Sequence, residues 1–78
     1  TKIGRDPKND IFLDDITVSR DHASIKKKDG YFVEDLNSLN GTYVNSILVK
    51  KASLKYGDEL QIGKYRLTFF TSQAQHRK

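Results

Sequence analysis

The stretch Ala23–Asp35, ASIKKKDGYFVED, decides the fold class. Ala23 and Ile25 alternate with Ser24 and Lys26, the period of two that sends successive side chains to opposite faces of a half-buried strand. Asp29-Gly30 then interrupts the run, and glycine accepts the positive φ that a tight hairpin turn demands. Tyr31 to Asp35 forms the return strand, with Tyr31 and Val33 on one face.

The same grammar extends in both directions. Upstream, Ile11 and Leu13 alternate with Phe12 between the punctuating pairs Asn9-Asp10 and Asp14-Asp15. Downstream, Asn37, Asn40 and Gly41 are loop formers, and Thr42 to Val44 restart a strand. Ile47 to Val49 is another short apolar run, and Leu54 leads into the turn Tyr56-Gly57-Asp58. Leu60/Ile62 and Tyr65/Leu67/Phe69 predict two strands joined around Gly63-Lys64. No window carries a sustained helical stripe, so no helix is expected. Short strands separated by turn signals every roughly 8–12 residues indicate an all-β sandwich or barrel. Thr1-Lys2-Ile3 runs into Gly4-Arg5 with no leading strand, which reads as a fragment trimmed at its N-terminus. Ser72 to Lys78 is polar and reads as a fraying tail.

Seventy-eight residues make one domain. There is no cysteine, hence no disulfide and no thiolate metal site. His22 and His76 are far apart in sequence, so neither a structural zinc nor any other cofactor is expected. No apolar run approaches the roughly 20 residues that span a bilayer, and no membrane partner is expected. The absence of cysteine is compatible with a reducing compartment, and a cytoplasmic location is the expectation. Fourteen basic residues against ten acidic leave a net charge of +4, which favours acidic partners without choosing among phosphoprotein, nucleic acid and lipid headgroup.

Thr17–Ile25, TVSRDHASI, packs Ser19, Arg20, Asp21 and His22 between apolar residues. Three readings compete: a Ser/His/Asp catalytic cluster, a phosphate-binding loop, and a polar turn. A catalytic cluster lacks support, because no second histidine is placed to act as a base and no Gly-x-Ser-x-Gly turn is present. His22 taken alone reads as structural, hydrogen-bonding loop main chain. Asn40-Gly41-Thr42 fits the short glycosylation pattern, but Asn40 is equally a turn residue of positive φ. Lys26-Lys27-Lys28 suggests a nucleic-acid patch. On a strand its side chains alternate faces, which divides the charge.

Four stretches stand in order: Gly4-Arg5; Ser19-Arg20-Asp21-His22; Asp35 to Asn45, DLNSLNGTYVN; and Leu54 to Asp58, LKYGD. Together they resemble the forkhead-associated (FHA) domain, whose pattern is G-R, S-R-x-H, S-x-N-G-T-x-V-N and L-x-x-G-D, from about Ile3 to Phe70. The resemblance implies a β-sandwich of the forkhead-associated type over residues 1–71, with its N-terminal strands missing and a tail over 72–78. It implies a phosphothreonine-dependent protein–protein interaction module, not an enzyme. Arg5 and Ser19 match the family's phosphate contacts, and Arg20 follows as a further donor. Asn40 matches the side chain that holds the target's main chain, and Ser38 and Leu39 complete the peptide-binding set. Gly4, His22, Gly41, Thr42 and Asn45 match residues that hold loops in shape. Leu39 departs from the threonine common there, so any help at that position must come from its main-chain N–H. The position that can read the residue three places beyond the phosphothreonine corresponds to Thr17.

The chemistry suits these residue types. A phosphothreonine carries about −1.5 to −2 charge and three acceptor oxygens. Arginine offers a planar fork of donors that does not titrate away.

The dense match in IFLDDITVSR, SLNGTYVN and GDELQIGKYRL is similar to the small stand-alone forkhead-associated regulators of actinobacteria. That likeness implies control of central metabolism downstream of a Ser/Thr kinase. The partners it implies are a phosphothreonine protein, the protein's own phosphorylated N-terminal tail, and enzymes of 2-oxoglutarate and glutamate metabolism. The alternative is a basic nucleic-acid-binding β-domain centred on Lys26 and Lys28.

Overall fold

Alternation without a helical stripe is buried by stacking one sheet on another or by closing a sheet on itself, and the computed structural model, which describes residues 1–70, stacks two sheets. The strands are β1 (Lys2–Gly4), β2 (Ile11–Phe12), β3 (Ala23–Lys27), β4 (Tyr31–Asp35), β5 (Thr42–Val44), β6 (Ile47–Val49), β7 (Lys51–Leu54), β8 (Glu59–Ile62) and β9 (Tyr65–Thr68). They form one sheet of order β2-β1-β3-β4-β7 and a second of order β6-β5-β8-β9. The tail expected over 72–78 lies outside the described residues.

Ile3, Val18, Ala23, Val33, Leu54, Val44, Leu60 and Ile62 meet between the sheets as the buried core. The predicted hairpin holds: β3 and β4 pair antiparallel from Ala23↔Asp35 to Lys27↔Tyr31, Val33 is fully buried, and Tyr31 packs edge-on against Phe69 at 5.3 Å. Both turn residues take positive φ, 53° at Asp29 and 110° at Gly30.

Three expectations are corrected. The start of the chain is itself a strand: β1 pairs antiparallel with β3 and parallel with β2, burying Ile3. Three residues are too few to display an alternation. β7 went unread beyond Leu54, because in KASL only Ala52 and Leu54 turn inward. β2 stops at Phe12, one residue short of the expected Leu13, whose N–H is bonded to the Gly4 carbonyl at 2.9 Å.

Strand direction sorts the connections by length. The turns at 28–30, 45–46 and 55–58 gather at one end, while the loops 5–10, 13–22 and 36–41 and the turn 63–64 gather at the other. The long-loop end is where the candidate site residues fall, Asn45 excepted.

Candidate functional site

The β1–β2 loop and the β2–β3 loop are stitched together by main chain. Arg5 N–H donates to the Ser19 carbonyl at 2.9 Å and Asp6 N–H to the Arg20 carbonyl at 3.2 Å. Gly4 makes this approach feasible. A Cβ there would stand 2.6 Å from the Asn9 Nδ2 and still closer to the Arg20 carbonyl, so the position excludes any side chain. Asn9 closes the seam: its buried carboxamide donates to the carbonyls of Asp6 at 3.0 Å and Arg20 at 2.7 Å. Reading the sequence as turn punctuation missed this role. The one signal available was a glycine at a strand end a few residues before an asparagine.

Arg5 lies across the seam. Its Nε donates to the Val18 carbonyl at 3.0 Å, and its terminal nitrogens have no hydrogen-bond partner among the described residues. Arg20 is placed differently. Its guanidinium meets Asp6 at 3.0 Å, and its side chain is 69% exposed. The Asp6 carboxyl is held below its usual pKa first by the Lys8 N–H and then by Arg20.

His22 sits fully buried beneath the site. Its Nδ1 accepts from the Ser19 N–H at 3.1 Å, so its Nε2 carries the proton and donates to the Gly41 carbonyl at 2.8 Å. Both ring nitrogens are therefore committed to loop main chain, and the imidazole has nothing left with which to activate the Ser19 hydroxyl. That hydroxyl instead accepts from the Leu39 N–H at 2.9 Å, which leaves its own proton to be donated. The main-chain donor at Leu39, expected to face a ligand, is engaged by Ser19, and Leu39 as a whole is 88% exposed.

The β4–β5 loop is folded around Asp35. The carboxylate accepts from the Ser38 N–H at 3.1 Å, the Ser38 hydroxyl at 2.5 Å and the Thr42 hydroxyl at 2.7 Å. Burial raises the Asp35 pKa, and these hydroxyl and amide donors outweigh it, so the group stays below the usual value. Ser38 Oγ also accepts from the Gly41 N–H at 2.9 Å. Its hydroxyl is thus occupied within the loop, which sets Ser38 beside Thr42 and Gly41 as frame and not as a free donor. Gly41 takes φ of 86°, where a side chain is strained.

Asn40 spans the gap between loops, its Nδ2 donating to the Thr17 carbonyl at 2.9 Å. The Thr17 hydroxyl bonds Asp15 and accepts the Lys64 N–H at 3.0 Å, and Lys64 Nζ meets Asp15 at 3.0 Å. Gly63 is the contact point, since a Cβ there would collide with Thr17 and Val18. An open groove lined by Thr17, Asn40, Tyr43, Gln61, Gly63 and Lys64 runs off the site at this corner. The Thr17–Lys64 contact is long-range and was invisible in sequence.

Asn45 is the exception. It lies at the opposite end, where it donates to Asp58 at 3.1 Å and accepts from the Glu59 N–H at 3.0 Å. It supports turns there and none of the loops just described. The lysine run is divided as alternation requires: Lys26 pairs with Glu34 at 3.5 Å, while Lys27 stands over the Tyr31 ring.

A sandwich whose adjoining loops offer a guanidinium, a donating hydroxyl and a carboxamide, all braced from behind, is a binding module for an anionic ligand. The chain belongs to the FHA domain family, whose model matches residues 1–63. It is 58% identical over 72 residues to the glycogen accumulation regulator GarA of Mycolicibacterium smegmatis, covering 91% of this chain and 46% of that protein. It is 57% identical over 70 residues to the oxoglutarate dehydrogenase inhibitor of Corynebacterium diphtheriae, covering 88% of this chain and 49% of that protein. The chain therefore spans about half the length of these relatives. Among solved structures, Mycobacterium tuberculosis EmbR in complex with a low-affinity phosphopeptide matches with a TM-score of 0.87 at 39% identity, over 90% of this chain and 19% of that one. FHA domains bind phosphothreonine peptides.

Proposed function

We propose that residues 1–71 form a phosphothreonine reader in which Arg5 and Ser19 hold the phosphate, Arg20 adds charge from the rim, and Asn40 holds the target main chain. Leu39 and Ser38 shape the loop that receives it, and Gly4, His22, Gly41 and Thr42 keep the loops in place. The observation that supports this reading is the Arg5 N–H to Ser19 carbonyl bond at 2.9 Å, which brings these two residues together at one end of the sandwich. The module binds and does no chemistry on its ligand. The oxoglutarate dehydrogenase inhibitor among its relatives supports a metabolic enzyme as the regulated partner, with a kinase-phosphorylated threonine, on another protein or on the protein's own N-terminal tail, as the ligand. A metabolic enzyme as partner also supports a cytoplasmic location. No helix among the described residues is long and apolar enough to cross a membrane.

The test is calorimetric titration of the full chain with matched phosphorylated and unphosphorylated threonine peptides. Phosphate-dependent binding is expected. A folded protein that binds no member of a phosphothreonine library overturns the reading. Arg5→Ala should weaken binding about 10- to 150-fold, the range set by a charge-assisted hydrogen bond of about 1.5–3 kcal/mol. Binding should also decline below about pH 6, where the phosphate regains its second proton.

A further inference from the structure

Asn40 is followed by glycine and stands exposed at the site, yet its Nδ2 and both the N–H and the carbonyl of Gly41 are tied down. The Asn-Gly sequence invites a specific reaction. The Gly41 nitrogen loses its proton and bonds to Asn40 Cγ, the Cγ–Nδ2 bond breaks and ammonia leaves. Water then opens the cyclic imide to aspartate or isoaspartate. Glycine favours attack because no side chain shields its nitrogen and its backbone turns freely.

Here each reacting group is restrained. The Gly41 N–H donates to Ser38 Oγ at 2.9 Å, and that oxygen is fixed in turn by its bond to Asp35 at 2.5 Å. The Gly41 carbonyl is clamped by the buried His22 ring at 2.8 Å, so the glycine is held from both sides. The Asn40 carboxamide is drawn across to the Thr17 carbonyl at 2.9 Å, on a different loop from the nitrogen that would attack it. We propose that Asn40 is a latent deamidation site, kept unreactive by the Asp35–Ser38–Gly41 latch, and that its conversion silences the phosphate pocket.

The silencing half rests on the phosphothreonine reading. An aspartate at position 40 sets a full negative charge on the loop that braces Ser19, where a phosphate must approach. Isoaspartate also lengthens the main chain before Gly41, which pulls its carbonyl away from His22. The protein carries internal comparators. Asn45 and Asn37 are exposed, each precedes a serine and each takes positive φ, so neither has a glycine as its attacking nitrogen.

The experiment follows deamidation by peptide mass mapping of the full chain at mildly alkaline pH, folded and in urea. Asn40 should react much faster than Asn45 or Asn37 in the unfolded chain and should be strongly slowed in the folded one. Ser38→Ala should speed the folded chain's reaction about fivefold, one hydrogen bond of about 1 kcal/mol at 1.36 kcal/mol per tenfold in rate. Ser38→Thr, which keeps the hydroxyl, should stay slow. Equal Asn40 rates in folded and unfolded chain overturn the latch, and this comparison decides the matter even where Ser38→Ala does not fold. A folded Ser38→Ala that reacts no faster overturns it too. The deamidated fraction, separated by its added negative charge, should lose phosphothreonine-peptide binding, and unchanged affinity overturns the silencing. If the untreated chain binds no such peptide, the phosphothreonine reading falls and the silencing with it, while the rates judge the latch by themselves.

Discussion

The two ends of the sandwich solve the same problem with similar residues and reach different results. At the short-turn end, Asp58 accepts from the Lys55 N–H, closing its own turn, and from Asn45, tying that turn to the neighbouring one. At the long-loop end, Asp35 accepts from Ser38 and Thr42, but the bracing continues through Gly41 to His22 and from His22 to Ser19. These turns spend their polar groups on one another. Loops braced from behind by side chains can leave outward donors free, here the Arg5 terminal nitrogens and the Ser19 hydroxyl proton. The difference teaches that the site depends on a buried frame, whereas the far end depends on exposed bonds within and between turns.

The strongest way to break that comparison is His22→Ala. Removing the imidazole leaves the Ser19 N–H and the Gly41 carbonyl without partners and opens a cavity under both loops. Each orphaned buried group costs about 1–3 kcal/mol and the void adds to it. A loss on the order of 3–5 kcal/mol in the urea-unfolding free energy is expected. A loss no larger than that of a far-end turn variant would show that the frame bears no special role.

How much of this was legible follows the same divide. Asp29-Gly30 and Gly57-Asp58 were read correctly, because a positive-φ demand is written in the residues that meet it. The strands β3, β4, β8 and β9 showed their alternation directly, and β5 was legible in its strand-forming residue types. The Gly4 position was found only through the ordered motifs, since nothing local tells that a glycine faces Arg20, and His22 was legible as a partner of loop main chain but not as a bridge between two loops. Asn9 and the Thr17–Lys64 link escaped altogether. Their partners lie 11 and 47 residues away, and only the folded sheets bring them together. Asn45 falls at the other end from the rest of its motif, because that motif crosses the whole length of β5.

A second test uses pH to sharpen the contrast at the corner of the site. The Thr17 hydroxyl, then the Thr17 N–H and then Lys64 lower the Asp15 pKa from 3.8 to about 2. A carboxyl with a depressed folded pKa stabilises the fold above its unfolded value and loses that contribution as pH falls through its folded one. The urea midpoint should therefore drop as pH goes from 3.8 toward about 2. Asp15→Asn should flatten part of that slope and leave the remainder to Asp6, Asp35 and Asp58, whose pKa values are also lowered. An unchanged slope in the variant would mean that the Asp15–Thr17–Lys64 corner is open in solution.

The smallest effect belongs to the far end. Asn45→Gly keeps a residue at ease with the observed φ of 49° and removes only the bonds to Asp58 and Glu59. Those bonds are exposed, so their loss should cost about 1 kcal/mol or less in the urea-unfolding free energy. Phosphothreonine-peptide affinity should not move, because the length of β5 and β8 separates this turn from Asn40 and Ser19. If affinity falls together with stability, strain at the turn is reaching the loops along β5, and the two ends form one mechanical unit. If stability alone changes, the buried frame isolates the site from the turns, as its closed set of hydrogen bonds requires.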